Sequence, residues 1–259
     1  MRQHELALER FVRSVESDPT VVGVVLTGSV ARGRERADSD VDVYLVVTDE
    51  RWDDAVAHDR VMYVDRVDED YPHGYLDVKL VTPGILAAAP ERADDPFRAS
   101  LEGARVALDR GGVADLIAAA RMPDERWADR IRSFASQVRL HAGYFLAGAE
   151  RDGDPLLARS ASTHALLAAH RALLARARIL YRGPKYLRAD VGALPDRPAD
   201  WDDIVAELLA APTASGGQRL IDALDAHLDI PLDDAGALST FVIDNEYAWW
   251  RREPAPEYS

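Results

Sequence analysis

The rhythm of apolar and polar positions changes once along the chain, near residue 110. Leu6, Leu8, Phe11, Val12 and Val15 recur at helical spacing and predict a helix over 2–17, ended by Asp18 and Pro19. Val21, Val22, Val24, Val25 and Leu26 form a β-branched run, the mark of a buried strand. Thr27, Gly28 and Ser29 break it, and one or two helical turns are expected over 30–36. Residues 41–47 predict a second strand, 50–58 a helix or loop, 61–64 a third strand and Tyr71 to Gly74 a turn. Residues 75–81 alternate cleanly as a strand, and a short helix is expected after Thr82, Pro83 and Gly84. Residues 104–109 predict a last edge strand before Gly111 and Gly112. Beyond them, 113–122, 124–150, 155–181, 200–211, 217–228 and 234–250 all carry helical periodicity, with Asp124 expected as an N-cap. Gly153, Gly183-Pro184, Pro195, Pro198 and Gly216-Gly217 punctuate the set. The pattern predicts an α+β chain: a small mixed sheet with helices over 1–110, then an all-helical bundle over 111–259.

Composition narrows the function. The 259 residues hold 31 basic and 45 acidic side chains, so the formal charge is 31 − 45 = −14. Residues 1–110 carry 14 and 23 of these (−9), and residues 111–259 carry 17 and 22 (−5). Such a balance argues against DNA or RNA as the main partner, because nucleic-acid binders display a basic face. A neutral or cationic small molecule fits better. With no cysteine, a disulfide framework, a thiolate nucleophile and a Cys-ligated metal are excluded. A cytoplasmic location is the expectation: the first 17 residues are charged throughout, and no apolar run approaches the ~20 residues of a membrane span. Only Lys79 and Lys185 among the basic residues are lysine.

The chemistry concentrates between residues 28 and 77. Residues two apart on a strand share a face, so Asp40 and Asp42 are expected to point the same way, with Cα atoms roughly 7 Å apart. Val41, Val43 and Leu45 then anchor the opposite face. Two carboxylates at that spacing suit a hard divalent cation, and Asp77 on a strand of the same pattern is a third. An unpaired buried carboxylate is costly, so Asp42 within Val-Asp-Val-Tyr-Leu-Val-Val calls for a cation. Asp77 also has a simpler partner in Lys79, two residues on and on the same face. A glycine at a strand end lets backbone approach a phosphate closely, so Gly28, the Ser29 hydroxyl and Arg32 are candidates to hold a triphosphate. Neither GxxxxGK[ST] nor GxGxxG is present. The seven histidines show no metal-ligand spacing, Trp249 and Trp250 read as closing a helical core, and Glu150, Asp152 and Asp154 read as a solvated acidic group.

The run Val-Leu-Thr-Gly-Ser-Val-Ala-Arg-Gly at 25–33, followed by Ser-Asp-Val-Asp-Val at 39–43, resembles the nucleotidyltransferase superfamily of DNA polymerase beta type. Its pattern is an apolar strand, Gly-Ser, about ten residues, then Asp-x-Asp. The resemblance covers about residues 20–110. It implies metal ligation by Asp40, Asp42 and Asp77, two Mg²⁺ ions, phosphate contact by Gly28 and Ser29, and a nucleoside triphosphate, expected to be ATP, as co-substrate. Residues 173–188, ending Tyr-Arg-Gly-Pro-Lys-Tyr-Leu-Arg, resemble a segment of bacterial aminoglycoside and lincosamide adenylyltransferases, which implies that Lys185 reaches the triphosphate. The acceptor expected on that basis is a hydroxyl of a small, cationic, aminoglycoside-like antibiotic. Two alternatives stand beside it: antitoxin-like modification of a protein partner, and nucleotide sensing without turnover.

Overall fold

The computed structural model describes residues 1–66, 74–228 and 233–251. The predicted turn at Tyr71 to Gly74 therefore lies, but for Gly74, outside the described residues. The chain divides into two units, Met1–Met122 and Pro123–Ser259.

The first unit contains α1 (Arg2–Val15), β1 (Val21–Leu26), α2 (Gly28–Ala31), β2 (Val41–Val47), α3 (Asp49–Ala57), β3 (Met62–Arg66), β4 (Tyr75–Val81), α4 (Pro83–Arg92), α5 (Asp95–Leu101), β5 (Arg105–Asp109) and α6 (Val113–Ala119). Its five strands form one mixed sheet in the order β3-β4-β2-β1-β5. Only β2 and β4 pair in parallel. Period-two alternation sends the strand side chains to two cores. Val41, Val43, Leu45 and Val47 of β2 join Leu76, Val78 and Leu80 of β4 on one face, beneath Ala7, Leu8 and Phe11 of α1 and Ala55 of α3. Tyr44, Val46 and Val81 face the other way, with Leu86 and Ala89 of α4, Leu101 of α5 and Val113 of α6. Asp42, Asp77 and Lys79 share this second face by alternation, near its open end. A one-residue slip of β2 would drive Asp42 into the first core and expose Val43, so burial locks the register. Each Val or Leu so buried contributes about 1.5–3 kcal/mol.

Local signals set the element ends. Thr48, Thr82 and Asp94 accept hydrogen bonds from the backbone N–H of Arg51, Ile85 and Phe97, capping α3, α4 and α5. The helical turn expected at 30–36 starts earlier, at Gly28, directly after β1. The compact units meet between Met122 and Pro123, and α6 goes with the sheet: its Val113 is fully buried in the second core.

The second unit is helical: α7 (Arg126–Val138), a π-helical stretch (Arg139–Phe145), α8 (Leu146–Asp152), α9 (Pro155–Arg176), α10 (Pro184–Gly192), α11 (Trp201–Ala210), α12 (Ala214–Leu228), α13 (Asp234–Phe241), a second π-helical stretch (Val242–Glu246) and α14 (Ala248–Arg251). No helix among the described residues is long and apolar enough to cross a membrane. Alanines 161, 165, 168, 169, 172 and 175 of α9 are buried, which lets neighbouring helices come close. The largest fully buried side chains include Trp201, Phe134, Leu173, Ile204 and Leu208.

Five readings of this half are corrected. Asp124 does not cap α7 but pairs with Arg178 at 3.2 Å. The helix expected to run to 181 stops at Arg176, and Arg178 takes a positive φ of 56°. Gly183 and Pro184 open a helix where a turn was expected, because proline is tolerated in a first helical turn. Gly216 and Gly217 lie inside α12, since a side chain at Gly217 would collide with the Ala142 carbonyl of the π-helical stretch. Trp249 and Trp250 are 69% and 76% exposed and close no core. The acidic group near 150 has specific work: Asp154 caps α9, and Glu150 accepts a 2.7 Å hydrogen bond from the Ala214 N–H.

Candidate active site

The site grows from the ends of β1, β2 and β4. Leu26 and Val43 are partners across β1 and β2, so the chain leaving β1 passes directly over the start of β2. The Thr27 N–H donates to the Asp42 carbonyl at 2.9 Å. Gly28 then turns with φ of 69°, a left-handed conformation that disfavours any side chain. It also seats the turn on the Asp42 carboxylate: a Cβ here would collide with Oδ2 and lie 2.7 Å from Cγ. Gly28 is thus required twice, for its backbone angle and for the space it leaves. Ser29 follows in the same turn, and its carbonyl accepts from the Arg34 N–H at 2.9 Å.

Parallel pairing of β2 with β4 puts Asp42 and Asp77 in direct register. Asp40 stands one residue before β2, whose bounds are those expected, and is held from β4, where the Tyr75 hydroxyl donates to its Oδ2 at 3.2 Å. Lys79 Nζ donates to Asp77 Oδ2, also at 3.2 Å. The other Asp77 oxygen, Oδ1, is buried and has no hydrogen-bond partner among the described residues. Arg32 Nη1 reaches the Ala99 carbonyl at 3.5 Å.

The electrostatics match this crowding. Burial, then the adjacent Asp40 charge, push the Asp42 carboxyl above its ordinary range; Asp77 adds to the effect, while Lys79 and Arg32 oppose it. The Asp40 carboxylate, followed by burial, raises the Tyr75 hydroxyl. Burial works to lower Lys79, but Asp77, with Tyr44 and Asp42, outweighs it and the ammonium ends above its ordinary value. Among the described residues no three carboxylate or imidazole groups are gathered tightly enough to hold a metal ion. The trio expected from the sequence is therefore adjacent without being converged: Tyr75 draws Asp40 and Lys79 draws Asp77. The residues nonetheless fit a divalent cation. Hard carboxylate oxygens are the right donors, Asp42 is destabilised by like charges, and Asp77 Oδ1 is a buried acceptor with nothing to accept.

The structure thus brings Gly28, Ser29, Asp40, Asp42 and Asp77 to one end of the sheet, with the Arg32 charge acting on Asp42. Lys185 lies in the other unit, in the first turn of α10, with Nζ 5.6 Å from the Tyr186 ring centre. The sequence reading missed Tyr75. The available signal was alternation, which puts residue 75 on the face of Asp77.

Residues 8–93 match the family model of the nucleotidyltransferase domain. The match runs from α1 through α4 and contains every candidate residue except Lys185, so the likeness to the nucleotidyltransferase domain lies within the first unit. No curated protein matches the chain.

Proposed function

We propose that the protein transfers a nucleoside monophosphate from a nucleoside triphosphate, ATP by preference, to a hydroxyl of a small cationic acceptor of the aminoglycoside type. The observation that carries the reading is the Gly28 turn seated on Asp42, with Asp77 in register beside it. The domain match supports nucleotidyl transfer in general. Asp40, Asp42 and Asp77 would hold Mg²⁺, which when bound supplies Lewis acidity and offsets phosphate charge. Gly28 keeps the turn free of side chains, so its backbone and the Ser29 hydroxyl are available to phosphate oxygens. Arg32 supplies positive charge on the same side, and Lys185 is assigned to the triphosphate by resemblance. The acceptor oxygen forms a bond to the α-phosphorus as the bond to the β-phosphate bridge breaks, and pyrophosphate leaves. The hydroxyl proton is assigned to Asp77, or to solvent where Asp77 serves as an ion ligand. No covalent enzyme intermediate is required, because positioning and charge stabilisation carry phosphoryl transfer.

The test is label transfer from α-labelled ATP with Mg²⁺, using an aminoglycoside panel in one arm and cell lysate in another. Label on an aminoglycoside is the expected result. Label on a protein moves the acceptor assignment to a macromolecule, and no transfer in either arm contradicts the enzymatic reading.

A further inference from the structure

β4 presents three polar groups two residues apart on one face: the Tyr75 hydroxyl, the Asp77 carboxylate and the Lys79 ammonium. Tyr75 and Lys79 each engage one candidate ligand, Asp40 and Asp77 respectively. Lys79 has no carboxylate at its in-register positions, which are Tyr44 on β2 and Met62 on β3. Its contact to Asp77 is thus along its own strand. We propose that Lys79 is a positioning residue and resident counter-ion of the cation site, which occupies Asp77 Oδ2, keeps that oxygen from a divalent ion and opposes the ion's charge until it is released. The inference rests on the reading of Asp40, Asp42 and Asp77 as cation ligands.

Three features point this way. The carboxylates are neighbours yet do not converge, and one Asp77 oxygen is engaged by Lys79 at 3.2 Å. The local charge is −3 from the three aspartates and +2 from Lys79 and Arg32, leaving −1. A divalent ion entering this set meets little net attraction while Lys79 remains. The residue type also matters. The chain uses arginine for 29 of its 31 basic positions, yet has lysine here. An arginine would grip Asp77 with a rigid fork, whereas a lysine is a single mobile charge that exchanges partners readily. Lys79 is 47% exposed and Asp77 18%, so the pair is modest and reversible. An anionic triphosphate offers the ammonium another partner, so nucleotide and cation are expected to bind cooperatively.

Nucleotide-free Mn²⁺ titration, followed by electron paramagnetic resonance, tests this without relying on turnover. Lys79→Met is expected to bind Mn²⁺ roughly fivefold more tightly than wild type. Lys79→Arg is expected to bind it more weakly. Adding Asp77→Asn to both wild type and Lys79→Met is expected to erase the difference between them. Unchanged or weaker binding in Lys79→Met overturns the proposal while wild-type saturation, lost in Asp42→Asn, keeps the cation site. Absence of saturable Mn²⁺ binding in every variant overturns both.

Discussion

In the sheet unit the carboxylates of the candidate site gather at one end of β2 and β4, whereas the helical unit buries polar side chains along α7, α9 and the π-helical stretch between α7 and α8. Asp42 and Asp77 meet through strand register, Asp40 joins them through Tyr75 and Lys79 through its own strand, and none of the four is fully buried. In the helical unit Ser133, Gln137, His141, Ser162 and Arg171 are all more than nine-tenths buried. Arg171 lies 4.5 Å over the Phe134 ring and 4.8 Å over Tyr181, and His141 stacks on His164 at 4.9 Å. Ser133 Oγ and Gln137 Nε2, four residues apart on α7, are buried without partners among the described residues. Each such group costs about 1–3 kcal/mol. The sheet concentrates like charge where a ligand can offset it. The helical unit spreads polar groups through its interior, where their cost falls on stability.

Substitutions at the two sites are expected to separate these behaviours. Gly28→Ala should be the most damaging. It forces a side chain into the left-handed region at a cost of about 1–2 kcal/mol and displaces the Asp42 carboxylate. Misplacement by about 1 Å is enough for a hundredfold loss of turnover, so pyrophosphate release and the melting temperature should both fall. Wild-type turnover in Gly28→Ala would mean that the turn does not set the Asp42 position.

The helical unit should answer to pH instead. Burial, with a smaller contribution from the His164 charge, lowers His141 from 6.5 to about 4. Its folded pKa is depressed, so the unfolded chain binds more protons between those values. The contribution is complete above pH 6.5 and is lost as pH falls toward 4, up to about 3 kcal/mol. Urea midpoints of wild type and His141→Gln, compared at about pH 7 and pH 4.5, read this directly. The variant should lose less on acidification, and equal losses would remove His141 as the cause.

The same contrast explains which parts of the structure were readable in the sequence. All five strands follow from β-branched runs and alternation, because period two leaves a short repeating signature. Gly28, Asp42 and Asp77 were readable for the same reason: polar or small residues interrupting buried strands are conspicuous. Asp40 precedes the strand, as the pattern over 41–47 implies. Its hold by Tyr75 depends on how β4 lies beside β2, which is a tertiary fact. In the helical unit, alanine-rich α9 is buried over much of its surface and gives no clear stripe, so its boundary and the His141–His164 contact were hidden. The pair Gly216-Gly217 read as punctuation at the start of the helix because the approach of Ala142 to Gly217, across 75 residues of chain, is invisible locally. Trp249 and Trp250 read as core from residue type alone, and their exposure shows how weak that signal is at a chain end.

Like charge at the end of β2 and β4 comes at a cost to the fold, and the proposed function assigns that charge to a bound cation and nucleotide. Burial and the Asp40 charge disfavour ionised Asp42, so the neutral isostere should relieve the protein while disabling it. The decisive comparison is wild type against Asp42→Asn, with melting temperature and Mg²⁺-dependent pyrophosphate release measured on the same samples. The account predicts a melting temperature that holds or rises while release drops about a thousandfold. Release at the wild-type rate would contradict it.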